Sequence, residues 1–115
     1  MKVVLDANIL CQDYWRRSTN FQVFRDGLPS VPATLCLPEV VIDEVANRLR
    51  EDLADAIRSD EESIRTLARL ANQPFEPASK KVDVEARAAL FRGQLLDWVK
   101  AADGEVLSYP DISHQ

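Results

Sequence analysis

Glycine, histidine and cysteine are scarce in this chain, and each shortage removes a class of chemistry. Only three glycines occur in 115 residues, and none lies between the first apolar run, Val3-Val4-Leu5, and the helix expected after it. A dinucleotide-binding turn needs glycines there so that the backbone can approach a pyrophosphate, which disfavours that class. The single histidine, His114, has no orienting partner beside it and reads as a surface or helix-start residue rather than a general base. Cys11 and Cys36 are the only cysteines; they lack metal-ligand spacing and read as buried free thiols. No apolar run approaches the ~18 residues of a membrane span. Asp6 interrupts the one apolar stretch at the N-terminus and no small-residue cleavage site follows, so no secretory signal is read there. The expected location is cytoplasmic, with no membrane association. Repeats and low-complexity tracts are also missing.

What remains is an ordinary globular composition, 46% hydrophobic and 29% charged, with a net charge of −5. That charge argues against broad, nonspecific nucleic-acid binding, which relies on a basic face. It does not argue against a site built from carboxylates, where bound metal ions reverse the local field.

The order of elements reads as α/β, an open parallel sheet with flanking helices in one domain over residues 1–115. Val3-Val4-Leu5 is a β-branched run suited to a strand covered on both faces. Asn8 to Arg17 predicts a first helix burying Ile9, Leu10 and Tyr14, and Asn20 to Asp26 a further helical turn. Gly27-Leu28-Pro29-Ser30-Val31-Pro32 breaks the pattern, and Thr34-Leu35-Cys36-Leu37 is the second strand. Pro38 then opens a helix striped by Val41, Val45, Leu49, Leu53 and Ile57. Ser59 and Glu62 form a capping-box pattern at which that helix either breaks or continues to about Asn72. From Val84 a helix carries Val84, Ala88, Phe91, Leu95, Trp98 and Ala102 on one face, and Gly104 is its expected stop. Glu105 to Tyr109 is a third strand. Asp111 and Ser113 resemble helix N-caps with little chain after them, which reads as a portion of a longer domain.

Two carboxylates carry the functional reading. Asp6 ends the first strand, and ligands of open parallel sheets sit off the carboxyl ends of the strands. Glu44 lies six residues past Pro38, roughly 9 Å along the helix that leaves the second strand. Helical side chains lean toward the helix N-terminus, which turns Glu44 back to the strand ends. Converging carboxylates repel unless a cation lies between them, and Mg²⁺ or Mn²⁺ suits oxygen ligands of this kind. Asn8 is placed to orient a carboxylate or a metal-bound water. Asp43 points about 100° away from Glu44 and is the weaker ligand candidate. Arg16, Arg17 and Arg48 are candidates for phosphate contact, with an ion pair to Asp52 the plainer role for Arg48. Tyr14, Trp15 and Trp98 can stack bases but at helical spacing read as core.

Two motifs resemble the PIN-domain ribonucleases. Val3-Val4-Leu5-Asp6-Ala7-Asn8-Ile9-Leu10 is similar to that family's opening strand with its metal-binding Asp, followed two residues later by Asn, Ser or Thr. Leu37-Pro38-Glu39-Val40-Val41-Ile42-Asp43-Glu44-Val45 looks like the second signature, whose Glu is the next metal ligand. The likeness covers residues 1 to about 50, and the helical insertion with Pro110-Asp111-Ile112-Ser113-His114 looks like a larger PIN-like subgroup. It implies Mg²⁺- or Mn²⁺-dependent hydrolysis of RNA, with Asp6 and Glu44 as metal ligands and Asn8 in support. The implied settings are a toxin–antitoxin pair, RNA processing or defence, and the implied partners an RNA substrate, an antitoxin or other protein, and a second copy of the chain. PIN nucleases draw further Asp ligands from beyond the third strand, and neither Asp103 nor Asp111 matches them, so the resemblance supplies half of a site. Two alternatives stay open. One is a truncated, non-catalytic PIN-like module that binds another chain. The other is a haloacid-dehalogenase-like phosphatase, which also ends strand 1 on Asp but wants a second Asp where this chain has Asn8.

Overall fold

The short apolar run Leu35-Cys36-Leu37 after Thr34 forms the central strand of a small parallel sheet. In the computed structural model, which describes residues 1–108, strand β2 (Thr34–Pro38) lies between β1 (Lys2–Val4) and β3 (Glu105–Leu107). Val3 pairs with Leu35 on one side, and Leu37 with Val106 on the other. Tyr109, Asp111, Ser113 and His114 lie outside the described residues.

Burial differs sharply between the strands. Leu35, Cys36 and Leu37 are fully enclosed, whereas Val4 is 55% exposed. The expectation that the first strand is covered on both faces is therefore corrected. Among the described residues it is an edge strand with β2 as its one neighbour, and its Val4 face is open to solvent. Both cysteines are free, Cys36 buried and Cys11 half-buried. Burial, reinforced by the Glu105 charge, raises the Cys36 thiol pKa, so it behaves as a small apolar residue.

Four helices surround the sheet: α1 (Ala7–Gln12), α2 (Thr19–Gly27), α3 (Glu39–Ala71) and α4 (Val84–Ala101). Helix α1 is shorter than the expected Asn8–Arg17. The Asp13 carboxylate accepts the Ser18 backbone N–H at 2.7 Å, and Arg16 takes a left-handed φ of 54°, so the chain turns instead of continuing. Ser18 then caps α2 by accepting from the Phe21 N–H. Leu10 is buried as expected, but Ile9 faces out at 42% exposure and Ala7 takes the inner position.

Helix α3 does not break at Ser59. It runs unbroken for 33 residues, a length of ~50 Å. Its buried residues, Ile42, Val45, Ala46 and Leu49, all lie near its start; Val41 and Leu53 pack at the margin of the core. Further along, Leu67 and Leu70 are exposed. A short 3₁₀ turn (Ala78–Lys81) is fastened to this distal part, because Asp60 accepts from both the Ser79 N–H at 3.1 Å and the Ser79 hydroxyl at 2.6 Å. Those bonds hold the Asp60 carboxyl below its usual pKa. A depressed folded-state pKa contributes stability above the unfolded value, lost as pH falls through the folded one. Acidification below about pH 4 is thus expected to release the turn, and the Ser79→Ala variant, which keeps only the backbone bond, to show a weaker acid sensitivity, read by amide exchange across residues 78–82.

Helix α4 buries Ala88, Phe91, Leu95 and Val99 against α3 and β2. It ends in a Schellman turn: the Gly104 N–H reaches the Val99 carbonyl at 2.8 Å and the Asp103 N–H reaches that of Lys100 at 3.0 Å. The left-handed residue is Asp103, φ 55°, and not the glycine. Gly104 is required for a different reason. A Cβ there would stand 2.8 Å from the Leu35 carbonyl oxygen and 3.0 Å from that of Val99. The absent side chain lets the end of α4 pass directly against the central strand.

Candidate functional site

Both candidate acids occupy the carboxyl edge of the sheet because of the elements that carry them. Asp6 follows β1 by two residues and caps α1, its Oδ1 accepting the Ile9 N–H at 2.9 Å. That bond occupies one oxygen and fixes the carboxylate at the helix start, where the dipole favours a negative charge. Glu44 lies in the second turn of α3, which leaves β2 directly after Pro38. Both are exposed. Since β1 and β2 are parallel neighbours, their following residues emerge on the same edge.

One hydrogen bond joins the two elements there. Arg48 Nη1 donates to Asn8 Oδ1 at 2.9 Å, linking the residue two beyond Asp6 to the residue four beyond Glu44. Asn8 thereby turns its oxygen to Arg48, which places it as a support of the edge. A second link lies one turn further on, where the Tyr14 hydroxyl donates to Asp52 Oδ2 at 2.5 Å. Burial first, and then this carboxylate, raise the Tyr14 pKa and keep the donor protonated. Asp52 is thus held by Tyr14, and the Arg48 to Asp52 pair is replaced by Arg48 to Asn8.

The other acids of this face have their own partners. Arg92 of α4 donates to Asp43 Oδ1 at 3.0 Å and approaches Glu39 at 3.5 Å. Asp43 is accordingly turned toward α4, away from Glu44. Glu44 lines a shallow depression of about 320 Å³ whose described walls all come from α3, including Asn47, Arg48 and Glu51. Asp6 is not among those walls. Among the described residues no group of three or more His, Cys, Asp or Glu side chains is gathered to hold a metal ion. Asp6 and Glu44 are the carboxylates this edge offers to a cation, while the Asn8 oxygen is taken up by Arg48.

The three candidate arginines are separated by the fold. Arg48 stays at the carboxyl edge beside Asn8. Arg17 is exposed and lines a groove with Trp15, Leu53 and Leu90. Arg16 is only 6% exposed, and its Nη1 donates to the Tyr14 carbonyl at 2.6 Å. Its guanidinium lies 5.1 Å from the centre of the Trp98 ring. Sequence reasoning missed this burial, and no local signal marks it, since Arg16 and Arg17 are neighbours of the same type. Tyr14, Trp15 and Trp98 are packed against the core as their spacing suggested.

No family model matches this chain, and no curated protein or solved structure matches it either. The likeness to PIN-domain ribonucleases rests on the two short motifs around Asp6 and Glu44.

Proposed function

We propose that this chain carries the N-terminal half of a PIN-like ribonuclease site, in which Asp6 and Glu44 hold Mg²⁺ or Mn²⁺ and RNA phosphodiesters are hydrolysed. The observation that carries the reading is the Arg48 to Asn8 hydrogen bond, which ties the start of α1 to the second and third turns of α3 at the carboxyl edge. A bound ion would supply an activated water and neutralise charge on the leaving oxygen. The chain's own residues do the rest. Asp6 presents its Oδ2 while its Oδ1 stays on the helix cap, and Glu44 brings the second negative charge. Asn8 and Arg48 keep the two elements in register, and Arg48 adds a positive group near the incoming phosphate. The phosphatase alternative is weakened by Asn8, whose oxygen accepts from Arg48 and which cannot act as an acid.

Single-stranded RNA cleavage in the presence of Mn²⁺ tests the reading directly. Asp6→Asn is the informative variant, because Asn is as good a helix N-cap as Asp and the fold is retained. Both Asp6→Asn and Glu44→Gln are expected to lower cleavage about a hundredfold, with the unfolding midpoint within the range of the parent. Cleavage that survives chelation or Asp6→Asn refutes the proposal. Hydrolysis of a phosphomonoester in place of RNA would move the assignment to the phosphatase class.

A further inference from the structure

The opposite edge of the sheet holds a second polar cleft, of about 700 Å³, that the acidic pair does not touch. It lies where α2 and the Leu28–Ser30 turn lead into β2 and where the end of α4 leads into β3, at the amino ends of these parallel strands. Its walls include Trp15, Arg16, Phe21, Gln94 and Trp98, and its lining also carries Arg25, Asp26 and Asp103.

Arg16 makes this cleft unusual. Its Nη1 is satisfied by the Tyr14 carbonyl, but Nε and Nη2 are buried without any hydrogen-bond partner. Nε and Nη2 form one edge of the guanidinium fork, the edge that takes a carboxylate through two parallel hydrogen bonds. Asp13 is the nearby charge and does not pair with it; burial prevails and draws the Arg16 pKa down to about 10. Gln94 also lines the cleft, and its Oε1 is likewise buried and unpartnered. Buried polar groups in folded proteins are almost always satisfied, so orphaned groups on two residues that line one cleft mark a missing partner. That partner must accept two hydrogen bonds from a planar edge and donate one to an amide oxygen. The rings of Trp15, Phe21 and Trp98 in its walls suit a flat body, and with Arg16 and Arg25 balanced by Asp26 and Asp103 the lining has no excess positive charge to hold a doubly charged phosphate.

We propose that this cleft binds a small ring-bearing carboxylate with a hydroxyl or N–H donor, its carboxylate on the Nε–Nη2 edge of Arg16 and its donor on Gln94. The site is independent of the hydrolytic reading, since none of its residues belongs to the Asp6–Glu44 edge.

Both tryptophans of the chain line the cleft, so their indole N–H signals in a ¹H–¹⁵N spectrum report its occupancy in the unaltered protein. Titration with 4-hydroxyphenylacetate is expected to shift both signals saturably. The uncharged 4-hydroxybenzyl alcohol should bind at least about tenfold more weakly, because it lacks the bidentate acceptor. Arg16→Lys should cost a similar factor, since an ammonium cannot reproduce the fork. Gln94→Glu, which brings a carboxylate of the chain's own to the cleft, should weaken binding at least as much and serves if Arg16 variants do not fold. Absence of a saturable shift, equal binding of acid and alcohol, or undiminished binding in either folded variant overturns the proposal. Tighter binding of inorganic phosphate than of the carboxylate overturns its ligand class.

Discussion

Phe91→Ala is expected to remove about 3–5 kcal/mol of stability, the usual cost of emptying a large buried aromatic site. The phenyl ring is completely enclosed at the middle of α4. Tyr14 and Trp15 meet it edge-on, with ring centres at 5.8 Å and 5.5 Å and planes near perpendicular. Such pairs add to the simple burial of the ring. Phe91 is therefore a main contact through which α4 holds the loop after α1, beside that of Trp98 with Arg16. Small domains have about 5–15 kcal/mol in total, so the variant should be only marginally folded at room temperature. Urea unfolding followed by tryptophan fluorescence checks this, with a lower midpoint at unchanged slope. Phe91→Leu, which refills most of the space, should lose roughly 1–2 kcal/mol. A Phe91→Ala loss below about 1 kcal/mol would mean that the aromatic cluster is not what joins these elements.

Gly104→Ala should cost about 1–3 kcal/mol, the range for forcing extra volume into a packed place. The reason is steric rather than conformational. Gly104 has no positive φ, and the obstacle to a methyl group is backbone on two sides, Leu35 and Val99. Backbone atoms cannot swing aside as a side-chain end can, so β2 and the last turn of α4 would have to separate. The neighbouring position makes the contrast. Asp103 sits at φ 55°, where Asp103→Gly relieves a left-handed conformation and should gain up to about 1 kcal/mol. Thermal unfolding of the two variants decides between the mechanisms. If Gly104→Ala is silent while Asp103→Gly is strongly stabilising, the glycine serves the turn and the close approach to β2 is not a constraint.

The sequence shows where the elements are more clearly than how far they extend. Phe91, Leu95 and Ala88 mark the inner face of α4 through their spacing alone, because helical periodicity is a local property. The first helix was legible only in its start. Its end depends on the Asp13 side chain reaching the Ser18 N–H, a choice between turn and helix that residue types do not settle. The capping-box pattern at Ser59 and Glu62 was ambiguous for a similar reason, and Asp60 anchoring the Ala78–Lys81 turn to the intact helix accompanies the continuous outcome. At the candidate site, the positions of Asp6 and Glu44 follow from strand ends and helix starts. Their surroundings do not: the partners of Asn8, Asp43 and Asp52 come from segments distant in sequence.

The sequence alone determined the α/β order and put an acid just past the first strand, because periodicity and breaker residues act over a few positions. Only the tertiary structure decided which arginine lost its water. Arg16 and Arg17 are chemically identical and adjacent, yet one lies against Trp98 inside the protein and the other faces solvent. Desolvation is set by what packs around a group from elsewhere in the chain, and for Arg16 that is Phe91 and Trp98 of α4, more than seventy positions further along.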